Sequence, residues 1–254
     1  MPVLQRPDGE IHYEEYGQGY PILLFAPGGM RSRAEMWHDP DGGPPRPWSD
    51  WTQSLAGSYR VIAMDQRNAG RSRTAMEANH GWHTYAADHL ALMDHLGFRQ
   101  FHTLGGCIGG SFCLKLCEIA PERITAAVLQ NPIGLHPDHP EYFPESFAEW
   151  AAEMKAERPH LDDTKIAAFG KTMWGGEFVY SVSRDFCPRC TVPTFLLPGT
   201  DKPHPAVTSD ELKQLLPGLE VLENWRGPEH LDEQLRRVLA FVDRHTPKEA
   251  RKAA

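Results

Sequence analysis

The tightest constraint in this 254-residue chain is a hexapeptide, Gly105-Gly106-Cys107-Ile108-Gly109-Gly110, set between a strand-like and a helix-like run. Upstream, Phe101-His102-Thr103-Leu104 is short and apolar enough for a buried strand, and downstream Phe112, Leu114 and Leu116 begin a helical period. A chain that turns so abruptly brings backbone against backbone, and glycine is the residue that allows it. A Gly-x-nucleophile-x-Gly turn holds its central residue under strain and lifts that side chain clear of the sheet. Here the central residue is a thiol, Cys107.

The rest of the chain supplies the layers such a turn needs. Val3 to Arg6 and Ile11 to Tyr13, joined through Asp8-Gly9, predict a hairpin. Further apolar runs at Ile22 to Phe25, Val61 to Met64, Ile124 to Leu129 and Thr194 to Leu197, with Leu219 to Glu223 as one more, are strand-length. Helical periods at Pro47 to Ala56, His83 to Leu96, Ser111 to Ile119, Ser209 to Leu216 and Leu231 to His245 fall between or after them. Alternation of this kind predicts an α/β fold, a mostly parallel sheet of about eight strands with helices on both faces.

One interval breaks the alternation. Residues 132–191 separate two strands that a single helix would normally join, so the core is expected at 1–131 and 192–254 with a helical cap inserted at 132–191. Phe143, Phe147, Trp150 and Met154 share one helix face; Ile166, Phe169, Met173 and Trp174 share another, ended by Gly175-Gly176. The two stripes either pack on the core or also roof an apolar pocket. In the second case Phe147, Trp150 and Trp174 touch substrate, together with Met30 beside the first strand of the α/β core.

Composition removes several functions. A net charge of −8 argues against nucleic acid, and no stretch approaches the ~18 apolar residues of a membrane span. Residues 1–10 lack a basic segment followed by an apolar one, so a cytoplasmic protein is expected. Five cysteines fit reduced thiols: Cys113 and Cys117 suit a helix interior, and Cys187-Pro188-Arg189-Cys190 lacks the helix start of a redox motif and the second pair of a zinc site. His136, Asp138 and His139 lie in a loop that needs no ion. The expectation is therefore no metal and no cofactor, a small-molecule substrate, and a monomer or homodimer.

Around Cys107 the sequence resembles the α/β-hydrolase fold superfamily over nearly the whole chain outside the cap. Asp65-Gln66-Arg67-Asn68-Ala69-Gly70-Arg71-Ser72 is similar to a structural loop of that superfamily. A cysteine nucleophile looks like the arrangement in dienelactone hydrolases and polyhydroxyalkanoate synthases, whereas the long insertion is closer to capped esterases and lactonases. The resemblance implies a histidine after the last strand, which selects His230. It implies an acid after Thr194 to Leu197, which selects Asp201, with Asp138 as the fallback; Lys202 and His204 are close enough to tune the site. It implies oxyanion donors at the backbone of Ile108 and of Gly29, or Gly28 or Met30 on a shifted alignment. The expected activity is hydrolysis of a carboxylic ester, lactone or thioester through a Cys107 acyl-enzyme. Acyl transfer from the same thioester, or ligand reception without catalysis, are the rivals.

Overall fold

The strand-length runs condense into one nine-stranded sheet. The structure, a computed structural model, describes residues 2–249; Met1 and residues 250–254, the outer ends of the expected core, lie outside the described residues. In chain order the elements are β1 (Val3–Arg6), β2 (Gly9–Tyr16), β3 (Tyr20–Phe25), α1 (Trp51–Ser54), β4 (Tyr59–Met64), β5 (Arg73–Thr74), α2 (Trp82–His95), β6 (Phe101–Gly106), α3 (Ile108–Ile119) and β7 (Ile124–Gln130). They continue with α4 (Tyr142–Glu157), α5 (Asp163–Trp174), β8 (Thr194–Leu197), α6 (Ala206–Leu215), β9 (Glu220–Val221) and α7 (Leu231–His245).

Across the sheet the order is β1-β2-β4-β3-β6-β7-β8-β9, with the short β5 on β2. The β1, β2 and β5 pairings are antiparallel, whereas β4, β3, β6, β7, β8 and β9 run parallel. Alternate residues of β3 enter two separate cores: Leu23 and Phe25 join one with α2, α3 and the inserted helices, while Ile22 and Leu24 join another with α1 and α7. Both faces of the parallel part are thus buried, which is why its strands read as unbroken apolar runs.

Three sequence expectations shift. The hairpin turn is Pro7-Asp8, and Gly9 already pairs with Arg6 inside β2. The first helix shrinks to Trp51–Ser54 because the Asp50 side chain caps it, accepting from the backbone N–H groups of Thr52 and Gln53. The helix after Cys107 begins at Ile108, three residues earlier than the apolar period suggests.

The stripes of α4 and α5 face each other and the core. Phe143 stacks on Trp174 at 4.8 Å, Phe147 meets Phe169 edge-on at 5.6 Å, and the Trp82 indole N–H of α2 donates to the Met173 carbonyl at 2.9 Å. Packing accounts for every residue of both stripes.

At the turn, Cys107 has φ 58°, a left-handed conformation for a residue with a Cβ, costing roughly 1–3 kcal/mol. The neighbouring glycines make it possible. A Cβ on Gly105 would lie 2.1 Å from the Gly109 carbonyl, and one on Gly109 would lie 2.3 Å from the Phe25 carbonyl oxygen. Gly105→Ala or Gly109→Ala should each lower the unfolding free energy by about 3 kcal/mol, measured in urea. Gly57→Ala, where a Cβ meets nothing within 4 Å, should change it by less than about 0.5 kcal/mol.

Candidate active site

The thiol of Cys107 sits where β6 ends and α3 begins, with its backbone N–H bound to the Gln130 carbonyl at 3.0 Å. Two further backbone N–H groups, those of Gly28 and Ile108, converge on its sulfur. Ile108 follows from the turn itself, since the first N–H groups of a helix have no partner within it. Gly28 follows from the loop after β3: it has φ 122°, and a Cβ there would meet the Met36 sulfur at 2.4 Å. Gly29, the expected donor, instead begins the single helical turn Gly29–Arg31.

Buried polar contacts hold that loop. The Ser32 hydroxyl donates to the Ala26 carbonyl at 2.6 Å, and the Asp65 carboxylate accepts from the backbone of Ala34 at 3.0 Å and of Arg71 at 2.9 Å. The Asp65-to-Ser72 segment thus braces the Gly28 loop.

On the other side of the thiol stands His204. Its Nδ1 shares a 2.5 Å hydrogen bond with Asp201 Oδ1, and a small antiparallel bridge between residues 201 and 204 folds the loop after β8 back on itself. The opposite nitrogen, Nε2, is buried, has no partner of strict hydrogen-bond geometry and faces the Cys107 thiol. Catalytic pairs are often this loosely aligned before substrate arrives. The second oxygen of Asp201, Oδ2, accepts from Arg226 Nη1 at 2.9 Å.

These contacts set the charges. Burial alone would push the Cys107 thiol up, but the His204 charge and hydrogen bond, with the Gly28 and Ile108 N–H groups, hold it below the ordinary thiol value. Burial would likewise lower His204, yet the Cys107 charge and the hydrogen bond to Asp201 raise it to about 9. Burial disfavours the Asp201 carboxylate, and hydrogen bonds from His204 and Arg226 overcome this, bringing it to about 2. The shifts of Cys107 and His204 both favour the thiolate–imidazolium pair over the neutral pair, beside an ionised Asp201 carboxylate.

The structure gathers Cys107, Ile108 and Asp201 around His204, and His230 does not join them. It closes the helical turn Pro228–His230 ahead of α7, 37% exposed, with its imidazole 3.5 Å from Glu229. Its loop approaches Asp201 four residues too early: Trp225 is buried and donates its indole N–H to the Pro198 carbonyl at 2.9 Å, Gly227 N–H binds the Pro47 carbonyl at 2.9 Å, and Arg226 between them turns to Asp201. The signal available in the sequence was Asp201-x-x-His204, a spacing that lets two side chains of one turn meet.

Asp138 lies in the loop before α4, its backbone N–H on the His136 ring. Of the expected substrate contacts, Met30 is buried beside Gly28 and Trp150 is buried against Phe147 and Phe169. Phe147 and Trp174 line a groove of about 500 Å³ between α4 and α5 whose walls include neither Cys107 nor His204. The residue of α4 that feels the nucleophile is Tyr142: burial, then the charges of Cys107 and Asp201, raise its phenol above the ordinary value. Lys202 lies 5.3 Å from its ring centre. Among the described residues no three His, Cys, Asp or Glu side chains are placed to hold a metal, and no helix is long and apolar enough to cross a membrane.

Comparison with known proteins agrees with this architecture. The sequence model of the alpha/beta hydrolase fold matches residues 21–182. A proposed carbamate hydrolase, RutD of Azorhizobium caulinodans, is 31% identical over 137 residues, 52% of this chain and 44% of its own length. A non-heme haloperoxidase of Rhodococcus erythropolis is 36% identical over 135 residues, 51% of this chain and 43% of its own. The chain thus matches less than half the length of these curated relatives. Among solved structures, a hydrolase from Pseudomonas aeruginosa superposes with a TM-score of 0.69 at 20% identity, covering 95% of this chain and 97% of its own. The enol-lactonase of Burkholderia xenovorans does so at 0.67 and 19%, covering 95% and 100%. Identities this low carry the fold alone.

The charge arrangement has a measurable consequence. Alkylation of Cys107 by iodoacetamide, followed by intact mass, should rise with pH at an inflection below the ~8.5 of a free cysteine. His204→Gln removes the largest influence opposing burial and leaves only the Gly28 and Ile108 N–H groups against it, so the inflection should move up and the rate at pH 7 should fall about tenfold or more.

Proposed function

Because the chain belongs to the alpha/beta hydrolase fold family, we propose that it is a hydrolase in which Cys107 attacks the acyl carbon of an ester, lactone or thioester, with His204 as acid and base and Asp201 as the group that orients it. The observation that carries this reading is the hydrogen bond from Asp201 to Nδ1 of His204, with the opposite nitrogen, Nε2, turned to a thiol on which two backbone N–H groups converge.

The order of events follows from the charges. The thiolate adds to the carbonyl carbon, and the Gly28 and Ile108 N–H groups stabilise the negative charge that moves to oxygen. As the carbon–oxygen or carbon–sulfur bond breaks, His204 gives its Nε2 proton to the leaving group, and a Cys107 thioester remains. His204, now neutral, takes a proton from water; hydroxide adds to the thioester, the acid departs and the thiolate is restored beside an imidazolium. Asp201 keeps the proton of Nδ1 in place throughout and stays ionised.

The reading agrees with relatives and structural neighbours named for carbamate hydrolysis and enol-lactone cleavage. It assigns the α4–α5 insertion the part of a roof, with Tyr142 as the roof residue whose phenol feels the charge of the thiol. The substrate is a small molecule, handled without metal or organic cofactor.

Brief mixing with p-nitrophenyl acetate should add one acetyl mass to the parent protein and none to Cys107→Ala, with p-nitrophenol released only by the parent. His204→Ala should lower turnover of the best substrate in a panel of aryl esters, lactones and thioesters about 100-fold. His230→Ala should leave it within about twofold. Full activity in His204→Ala, or its loss in His230→Ala, would overturn the assignment of the base.

A further inference from the structure

The loop that the family resemblance credits with the base carries a different group to the site. Arg226 Nη1 lies 2.9 Å from Asp201 Oδ2, while Oδ1 of the same carboxylate is held by His204. Both oxygens of Asp201 are therefore used, one on each side. A carboxylate bound at one oxygen can still rotate about its last torsion, whereas one bound at both oxygens cannot without breaking a charge-assisted hydrogen bond.

The guanidinium is itself fixed from both sides. The preceding residue, Trp225, is buried and tied through its indole N–H to Pro198, in the segment that leads from β8 into the Asp201–His204 loop. The following residue, Gly227, is tied through its N–H to Pro47, ahead of α1. The guanidinium carbon stands 4.9 Å from the centre of the Trp225 ring, close enough for a cation–π contact. Arg226 thus links three separate parts of the chain and delivers one charged hydrogen bond to the outer face of the acid.

We propose that Arg226 is a positioning residue for the catalytic site: by clamping the outer oxygen of Asp201 it fixes the plane of the carboxylate, and through it the ring of His204 against the Cys107 thiol. The inference rests on the assignment of His204 as the base. It adds that a single loop, residues 199–205, supplies both acid and base, and that the 224–230 loop supplies the clamp. With the clamp removed, Asp201 turns toward solvent, His204 loses its orienting partner and the thiolate loses support. Loss of the nearby positive charge acts in the same direction.

The test is a double-mutant cycle read by the iodoacetamide alkylation rate of Cys107 at pH 7, which needs no known substrate, with thermal melting of each variant alongside. Arg226→Ala should slow alkylation about five- to tenfold, and Arg226→Lys should recover part of that loss. Asp201→Asn should slow it at least as much, and Asp201→Asn/Arg226→Ala should be no slower than Asp201→Asn alone. Where a substrate is in hand, the Arg226→Ala loss should fall on kcat, with KM within about threefold. If Arg226→Ala reacts like the parent, or costs the same factor with and without Asp201, the positioning role is overturned; the second outcome marks a general structural effect. If His204→Gln also reacts like the parent, the base assignment fails instead, and the two failures are told apart by that variant.

Discussion

The molecule is organised around one close approach, that of the first turn of α3 to the carboxyl ends of β3 and β6. Gly109 passes the Phe25 carbonyl with no room for a Cβ, and Gly105 passes Gly109 under the same restriction. Because the two chains meet so closely, Cys107 is forced into a left-handed conformation and its thiol projects from the end of the sheet. The same approach leaves the Ile108 N–H without a helical partner and sets the loop after β3 beside the sulfur. The strain at Cys107, the placement of its thiol and the backbone N–H groups around it therefore share one steric cause.

A second theme is how few residues assemble the electrostatics. Three residues of spacing on one turn place an acid and an imidazole in contact, and the small bridge between residues 201 and 204 makes that turn rigid. Burial alone would raise Cys107 and lower His204, so neither charge would survive in isolation; each is maintained by the other. Such mutual dependence explains how an acidic protein can lower the pKa of a thiol: the local field is set by neighbours within a few ångströms, where net charge has little weight.

The braces are apolar on one side and ionic on the other. Aromatic stacking joins α4 and α5 to α2 through Trp82, Trp174 and Phe143. Asp65 with Arg71, and Asp88 with Arg67, hold the loops after β3 and β4. That residues 132–191 carry two helices between β7 and β8 was legible from their apolar stripes. That their aromatic residues would be spent on each other was not, because a stripe shows which face is buried and says nothing of its partner.

Local pattern determined much of this protein. Strand runs and helical periods name the α/β architecture, and the glycine-flanked cysteine singles out the turn at Cys107, since each depends on residues adjacent in the chain, whereas Ile108 and Asp201 were candidates through the family resemblance. Which loop residues lie beside the thiol, Gly28 and His204 and not Gly29 and His230, belonged to the tertiary structure. Both histidines lie in loops after strands, and only the burial of Trp225 under Pro198 and the anchoring of Gly227 to Pro47 bring Arg226 to Asp201 and carry His230 past it. Those contacts join residues 27 and 180 positions apart, a separation over which sequence periodicity carries no information and packing alone decides.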